Sequence, residues 1–475
     1  MLHFYNTLTR NIEPFKPRED GKVRMFVCGP TVYDYIHIGN ARTFVAFDAI
    51  AKYLQYRGYE MLYLQNITDI DDRIIDRAQQ LKTEPSAVAT KYEEEFMADM
   101  KALNVTAVDV YARATGHIEA IIKQIQVLMD KEFAYEIRDG IYFDLSKFPD
   151  YGKLSGRTTS QADDAISRID ENPEKRNLGD FCLWKRSKDG EPRWSAPWFD
   201  GRPGWHIEDT AITETFFGPQ YDVHGGGRDL IFPHHEAEIA QQEAASGKVP
   251  FVQYWMHVGF LEMKAAKMSK SLGNFSTVRD VLKEHPREAI RLYLLSAHYR
   301  SPLDFSDTAL KQAEAGMMRI GEFLQRINFL ESKGMLALEM DPGFSIQIEH
   351  TKSAIEEALD NDFDTPKAIG ILFDLIRVGN QHLDSETLGV GGGKKMLDAL
   401  ALFDFVLGIV PHVSVELPPH VKKLVTERQH AKDEKNYPLA DQLRQKIINL
   451  GYQIDDTPYG PLIKKQKNLD KQLKG

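Results

Sequence analysis

The sequence has few cysteines, no long apolar run and no overall excess of positive charge. Its 475 residues contain two cysteines, Cys28 and Cys182, which are too few for a disulfide framework and favour a reducing compartment. The most apolar late stretch, residues 397–410, is interrupted by Asp398 and Asp404 and is too short to cross a bilayer. The first residues lack the apolar core of a secretion signal. We therefore expect a cytoplasmic protein with no membrane segment.

The formal net charge of −11 argues against non-specific coating of nucleic acid. Residues 411–475 are the exception, because 12 Lys and Arg stand there against 8 Asp and Glu. A basic tail is by itself most often a solvated surface, so charge alone does not identify a nucleic-acid partner. The length suggests about three domains with sizeable cores.

The first 115 residues have an α/β pattern. Residues 22–27 alternate basic and apolar side chains and predict a strand, and the apolar spacing after Asn40 predicts a helix that Asn40 caps and Gly58 ends. A loop with His37 and Gly39 therefore lies between a strand and a helix N-terminus, which suits a phosphate group. A turn with a satisfied histidine is the alternative, since short motifs match by chance.

The remaining pattern changes several times. From about residue 115 to 200 we predict an insertion with one helix, short strands and a Trp-rich run that packs as a cover. The α/β pattern then returns with a strand over 221–224, the glycines 225–227 and a helix from about Pro233. From about residue 305 the pattern is helical, and the glycine-rich residues 389–393 predict a flexible connection between two helices.

Three residues have the types and the spacing of metal ligands. His234 and Glu238 lie four apart on a predicted helix and so share one face, and Cys28 ends the first predicted strand. Strand ends in a parallel α/β sheet meet at one crevice, and zinc accepts thiolate, imidazole and carboxylate. Taken singly, each residue has an ordinary structural interpretation, as a satisfied imidazole, a surface carboxylate and a small buried side chain.

A second chemical motif lies far downstream, in residues 267–271. Lys267 and Lys270 flank Met268 and Ser269, and two ammonium groups on a loop can neutralise a departing pyrophosphate. By itself the motif is most often a solvated basic loop. Together with residues 37–40 after an early strand, however, it resembles the two signatures of class I aminoacyl-tRNA synthetases.

Further segments narrow the resemblance to the cysteine-specific family of that class. They are residues 28–33, 66–72, 204–208, 232–236, 296–305 and 440–460. The resemblance implies an α/β fold: a Rossmann-like parallel-sheet catalytic domain with an insertion, followed by an α-helical bundle and a small C-terminal anticodon-binding domain. The implied divisions are 1–115 and 201–305 for the two catalytic halves, 116–200 for the inserted connective domain, 306–410 for the bundle and 411–475 for the basic anticodon-binding domain.

The resemblance also implies a reaction and its residues. ATP with Mg²⁺ and L-cysteine would form a cysteinyl-adenylate, and the cysteine would then pass to its tRNA. The implied catalytic residues are His37, Asn40, Lys267 and Lys270. The implied nucleotide contacts are Gly29, Thr31, His37, Gly39, Asn40, Asp229 and Lys270. The implied amino-acid contacts are Cys28, Thr68, Trp205 and His224.

One zinc ion per chain is implied as well, bound to the thiolate of the substrate. Its implied ligands are Cys28, Asp209, His234 and Glu238. The shape of a pocket alone separates serine from cysteine poorly. A soft thiolate gains far more binding free energy from zinc than an alcohol does. An enzyme that selects cysteine in this way needs no editing domain.

The chain departs from the family pattern at two positions. The family has a second zinc-binding cysteine where this chain has Asp209, which makes the site richer in oxygen. Cys182 is interpreted as a core residue. Asn40 replaces a histidine, a mild change because an amide also donates to phosphate.

Two other functions stay open at this point: a cysteine ligase that acts on an amino sugar, and an inactive paralogue that only binds tRNA. We expect a monomer.

Overall fold

The computed structural model describes residues 1–157, 172–263, 266–267, 276–336, 339–411, 417–457 and 460–465. The chain divides into two compact units. The first unit comprises Met1–Arg279, Leu294–Ser306 and Glu357–Pro366, and the second comprises Asp280–Tyr293, Asp307–Glu356 and Lys367–Gly475. The residues Met268 to Ser271 of the downstream basic motif, including Lys270, lie outside the described residues, as does the side chain of Lys267.

The helices and strands of the described residues follow in chain order. The strands are β1 His3–Asn6, β2 Asn11–Pro14, β3 Lys22–Val27, β4 Glu60–Ile67, β5 Val110–Arg113, β6 Ala134–Ile137, β7 Gly140–Phe143, β8 Phe181–Arg186, β9 Gly201–Pro203, β10 Tyr221–Gly227, β11 Val252–Val258, β12 Leu261–Met263, β13 Ala266–Lys267, β14 Leu303–Asp304, β15 Tyr452–Thr457 and β16 Gly460–Lys465. The helices are α1 Ile38–Tyr56, α2 Asp72–Leu81, α3 Pro85–Ala102, α4 Ile118–Asp130, α5 Ile207–Phe217, α6 Glu236–Ser246, α7 Val278–Glu284, α8 Arg287–Leu295, α9 Asp307–Ser332, α10 Pro342–Asp360, α11 Thr365–Asp384, α12 Gly389–Leu407, α13 Pro419–Asp433 and α14 Tyr437–Asn449.

The first unit is built on a five-stranded parallel sheet in the order β11-β10-β3-β4-β5. Its middle strand β3 is buried on both faces, since Val23, Met25 and Phe26 are all inaccessible to solvent. The last three residues of β3 are all apolar and buried, as is typical of parallel strands covered by helices on both faces. The α/β fold class is confirmed.

Helix α1 follows β3 and is capped by a different residue from the one that the sequence predicts. We predicted Asn40 as the cap, but His37 precedes the helix, and its Nδ1 accepts from the backbone N–H of Asn40 at 3.2 Å. The helix ends where predicted, because Gly58 adopts a φ of +87°, which favours glycine.

The predicted insertion contains α4 and a four-stranded antiparallel sheet in the order β6-β7-β8-β9. Its central residues Phe143 and Trp184 share one buried apolar cluster with Phe26 and Leu64 of the parallel sheet. The indole of Trp184 is fully buried and donates to the carbonyl of Phe199 at 3.3 Å. Packing therefore accounts for this tryptophan, and the division of the chain into five domains stays a prediction.

Two glycine-rich segments are regular structure, although a flexible connection was predicted for the second of them, residues 389–393. Gly225 and its neighbours complete strand β10, because a Cβ on Gly225 would lie 2.2 Å from the ring of Phe47. Residues 389–393 form the first turns of α12, and a Cβ on Gly392 would lie 3.1 Å from the sulfur of Met340. Close packing of neighbouring elements thus outweighs the low helix and strand propensity of glycine.

The second unit is helical, with a small C-terminal part formed by α13, α14 and the β15–β16 hairpin. These elements enclose their own apolar cluster, whose buried members include Val421, Ile447 and Ile454. The Arg428 guanidinium pairs with Asp456 through two contacts of 2.8 Å. No helix among the described residues of either unit is long and apolar enough to cross a membrane.

Gly225→Ala tests the close packing of β10 on α1. We expect it to lower the free energy of unfolding by about 1–3 kcal/mol, because the added methyl group meets a rigid ring in a packed core. Gly116→Ala is the matched control, since a Cβ there has no neighbour within 4 Å, and its effect should stay within about 0.5 kcal/mol. Urea unfolding followed by circular dichroism measures both, and equal midpoints would contradict the packing argument.

Candidate active site and metal centre

A cleft of about 550 Å³ opens at the carboxyl ends of β3 and β10, next to the N-terminus of α1. Ligand sites of doubly wound sheets lie at this edge. The cleft is lined by eleven of the residues predicted for the site: Cys28, Gly29, Thr31, His37, Gly39, Asn40, Thr68, Trp205, Asp209, Asp229 and His234. His224 and Glu238 lie fully buried beside Cys28, so the fold brings these predicted residues together.

The end of the cleft at α1 has the features of a phosphate site. His37 caps the helix, and a Cβ on Gly39 would lie 2.8 Å from its ring, so glycine is required for this arrangement. The amide of Ile38 donates to Ser276 at 3.0 Å. Helix N-termini carry partial positive charge that favours anions.

The rim of the cleft also carries an exposed carboxylate on Asp229, in the turn that follows β10. A Cβ on Gly227 would lie 2.6 Å from the Oδ1 of Asp229, so the glycine lets the carboxylate fold back over the strand end. A carboxylate at this position can accept hydrogen bonds from a ribose.

The inner end of the cleft leads to a buried group of metal-ligand atoms. The Cys28 Sγ lies 3.1 Å from the Nε2 of His235 and 3.4 Å from the Nε2 of His224. The Nε2 of His234 lies 2.9 Å from Asp209 Oδ2 and 3.0 Å from Glu238 Oε1. Side chains from four segments therefore converge on one point.

These atoms form two overlapping four-ligand sets within 4.8 Å: Cys28, Asp209, His234 and Glu238, and Cys28, His224, His235 and Glu238. The first is the set that the sequence predicts. The second adds His235, which the sequence analysis missed. Adjacent residues of a regular helix point about 100° apart, but His234 and His235 lie in an irregular turn, Ile231–His235, in which Phe232 is extended. Pro233 disfavours helical backbone at Phe232, but this signal does not say that His235 then joins the ligand group.

Burial strongly shifts the protonation of these groups. It raises the pKa of the Cys28 thiol well above its ordinary value, and the nearby carboxylates of Glu238 and Asp209 raise it further. Burial and the charge of Asp209 likewise raise the pKa of Glu238, and burial lowers the pKa of His224 and His235. Without a cation, burial therefore favours the protonated Cys28 thiol and Glu238 carboxyl and the neutral imidazoles of His224 and His235.

The donor set fits a zinc ion. Within the described residues, Asp209 Oδ1 and Glu238 Oε2 are buried and have no hydrogen-bond partner, which is costly unless a cation neutralises them. The Nδ1 of His206 lies 2.7 Å from the Nδ1 of His234. The Nε2 of His234 therefore points at the carboxylates of Asp209 and Glu238. A contact to the second ring nitrogen is typical of ligating histidines. Cys182 lies in β8, belongs to neither set and is half-buried, so its interpretation as a core residue is only partly right.

Two further side chains border the inner end of the cleft. The Trp205 ring stacks on His234, with 4.5 Å between ring centroids and 27° between planes. The Thr68 hydroxyl donates to the buried carboxylate of Glu208 and accepts from the side-chain amide of Asn66 at 3.3 Å. An aromatic wall and an oriented hydroxyl thus lie next to the ligand atoms.

Comparison with known families gives two matches. Residues 14–315 match the family described as tRNA synthetases class I (C) catalytic domain, and residues 354–410 match the DALR domain. Among curated proteins, the cysteine–tRNA ligase of Carboxydothermus hydrogenoformans is 44% identical, over 97% of this chain and 99% of its own length. That of Thermoplasma acidophilum is 44% identical, over 96% of this chain and 98% of its own length.

Solved structures share the fold at low sequence identity. Mycobacterium tuberculosis methionyl-tRNA synthetase in complex with methionyl-adenylate superposes with a TM-score of 0.64 and 16% identity, over 82% of this chain and 92% of that one. A ternary complex of LeuRS, tRNA and LeuAMS from Agrobacterium radiobacter gives a TM-score of 0.62 and 11% identity, over 82% and 85%. These likenesses concern the fold alone.

The raised pKa of Cys28 predicts that zinc binding releases protons. At pH 7 the metal-free thiol is protonated, so zinc must displace its proton, and the apparent affinity should rise about tenfold per pH unit for each proton displaced. Calorimetric titration of metal-free protein in two buffers of different ionisation enthalpy measures the release. Cys28→Ala should reduce it, whereas Cys182→Ala, which changes the other cysteine, should not. Equal release in both variants would contradict this assignment.

Proposed function

Since the chain belongs to the cysteine–tRNA ligase family of the class I tRNA synthetases, which charge tRNA with cysteine, we propose that it forms a cysteinyl-adenylate and selects the thiolate of its substrate with a zinc ion. The observation that carries this proposal is the position of the buried ligand group, which opens directly into the cleft at the N-terminus of α1. A small amino acid held there by its side chain would place its carboxylate toward that helix end.

Four side chains would bind the zinc ion: Cys28, Asp209, His234 and Glu238. When bound, the ion would supply a soft Lewis acid that prefers a thiolate to an alcohol. Trp205 holds the His234 ring in place by stacking, and Thr68 offers its remaining lone pair to the amino group of the substrate. The hydrogen of that hydroxyl is committed to Glu208, so Thr68 faces the cleft as an acceptor.

Activation would take place at the outer end of the cleft. The carboxylate of cysteine attacks the α-phosphorus of ATP, the bond to the pyrophosphate breaks, and Mg²⁺ accompanies the nucleotide. His37, Asn40 and the N-terminus of α1 would bind the phosphates, with Gly39 giving them access to the backbone. Gly29 and Thr31 line the same cleft, and Asp229 would accept from the ribose.

The residues that would stabilise the departing pyrophosphate are Lys267 and Lys270. In the sequence they follow β12, whose first residue Leu261 lines the cleft. Two ammonium groups at this point would neutralise charge as it develops on the leaving group.

Asp209 makes this site richer in oxygen than a two-cysteine site. It still supplies a negative charge, and its Oδ2 lies 2.9 Å from the Nε2 of His234, within reach of a common ion. Because carboxylate is a harder donor than thiolate, we expect zinc to be held less tightly than by two thiolates.

The second step transfers cysteine to a terminal ribose hydroxyl of the tRNA. We propose that residues 411–475 bind the anticodon loop, because they carry a local excess of positive charge and fold around a separate small core. Full-length similarity to curated cysteine–tRNA ligases argues against the amino-sugar ligase. The inactive paralogue that only binds tRNA stays the second candidate, because Asp209 replaces a zinc-binding cysteine of the family.

The test of this function is ATP–pyrophosphate exchange with each of the twenty amino acids, together with zinc analysis of the same sample. We expect about one zinc per chain and exchange with cysteine roughly 10⁴-fold above serine. Removal of zinc by a chelator should abolish the exchange with cysteine and leave the binding of ATP largely unchanged.

Three results would contradict parts of the proposal. A strong preference for cysteine in protein that contains no metal would show that zinc does not select the substrate. Binding of tRNA without exchange would indicate the inactive paralogue. Exchange followed by transfer to an amino sugar, with no charging of tRNA, would indicate the other ligase.

A further inference from the structure

The side chain of Arg42 connects three segments of the first unit. It leaves α1 shortly after the phosphate-binding turn and is 1% exposed. Its guanidinium donates to four backbone carbonyls, those of Gly259 at 2.9 Å, Phe260 at 2.7 Å, His298 at 3.3 Å and Ser301 at 2.6 Å. One side chain therefore holds α1, the segment that joins β11 to β12, and the turn before β14 in fixed relative positions.

The two segments that accept hydrogen bonds from Arg42 are also hydrogen-bonded to each other. The amide of Gly259 donates to Tyr299 at 2.8 Å, and β12 pairs in parallel with β14. A Cβ on Gly259 would lie 2.4 Å from the carbonyl oxygen of Ser301, so only glycine allows this approach. The two segments form one layer, and the Arg42 guanidinium joins that layer to α1.

This layer is a wall of the cleft. Val258, Gly259, Phe260 and Leu261 line one side, and His37, Gly39 and Asn40 of the α1 turn line another. Arg42 lies on α1, the helix that follows the turn of His37 and Gly39, and it donates hydrogen bonds to the carbonyls of Gly259 and Phe260. Its length and planar geometry thus fix how these two parts of the lining lie against each other, and they adjoin, since a Cβ on Gly39 would lie 3.8 Å from the Cβ of Leu261. β12 belongs to the same layer.

Asp362 holds the other side of the same turn. Its buried carboxylate accepts from the hydroxyl of Tyr299 at 2.7 Å, from Arg300 Nε at 2.7 Å and from the amide of Tyr5 at 2.8 Å. Asp362 and Phe363 both have a positive φ, of 57° and 52°, a conformation that costs free energy in non-glycine residues and persists only where several contacts enforce it.

We propose that Arg42 and Asp362 are positioning residues that fix the relative placement of two adjoining parts of the lining of the nucleotide cleft, a role that rests on the proposed function of that cleft. Asp362 fixes the turn of residues 298–301, and Arg42 holds that turn at a set distance from the phosphate-binding end of α1. Lysine cannot replace Arg42, because one ammonium group on a flexible stem cannot donate to four carbonyls in two segments. Small displacements of catalytic groups lower rates strongly.

The test compares Arg42→Lys with Arg57→Lys. Arg57 lies at the opposite end of α1 and pairs with Asp360, so it controls for loss of an arginine contact on the same helix. Exchange kinetics are measured per active site, with active sites counted by a burst of adenylate formation. We expect Arg42→Lys to lower kcat/KM for ATP roughly 10- to 100-fold, with KM for cysteine and zinc content close to those of the parent and Arg57→Lys near the parent in every respect.

The outcomes separate positioning from stability. If Arg42→Lys changes only the melting temperature or the active fraction, with kcat and KM for ATP within twofold of the parent, the proposal is wrong. If that variant does not fold, Asp362→Asn and Gly259→Ala decide by the same criterion. Asparagine tolerates the positive φ but loses the charge that faces Arg300. Failure of all three variants to fold would assign the network to folding and overturn the proposal.

The proposed function and this inference can fail separately. If the parent shows no exchange with cysteine, the function fails, and equilibrium binding of ATP still compares Arg42→Lys with the parent. An unchanged dissociation constant in that case would overturn the inference too, whereas a tenfold weaker one would support it.

Discussion

A thiol, two carboxylates and several imidazoles are buried together at one point of this molecule, and the first unit is organised around them. Burial of so many ionisable groups without a compensating cation is costly. The raised pKa of Cys28 and Glu238 reflects this cost. A divalent cation at the same point would reverse the balance, since it stabilises the deprotonated forms that burial disfavours.

The fold creates this point through the geometry of a parallel sheet. Cys28 follows β3, His224 lies on β10, and α5 and α6 bring Asp209 and Glu238 to the same edge. Glycines on β10 permit the close approach, because a Cβ on Gly226 would lie 2.8 Å from the ring of His235. The other end of the cleft, which we propose binds the nucleotide, lies at the N-terminus of α1, and the buried Arg42 bonds that helix to the neighbouring layer. The ligand group and the α1 end of the cleft thus depend on different contacts of the same sheet and helices.

The sequence predicts the parts of this structure that depend on periodic patterns and on pairs of residues. The i, i+4 relation of His234 and Glu238 places both on the ligand group, with 3.0 Å between Nε2 and Oε1. The same reasoning could not find His235, which joins the group only because the chain leaves regular helical geometry at Phe232. Nor could it find the role of Arg42, whose four partners are backbone carbonyls about 220 to 260 positions away, and backbone carbonyls carry no sequence signal. The prediction of a flexible connection at residues 389–393 was wrong because these glycines pack closely against Met340 as the first turns of a helix.

The most direct test of the account is X-ray absorption at the zinc edge, which counts the sulfur ligands of the bound ion. With the set of Cys28, Asp209, His234 and Glu238, the resting protein should show one sulfur among nitrogen and oxygen ligands. Saturation with cysteine should raise the count to two, and saturation with serine should leave it at one. A sulfur count that does not change with cysteine would contradict the selection of the substrate by its thiolate.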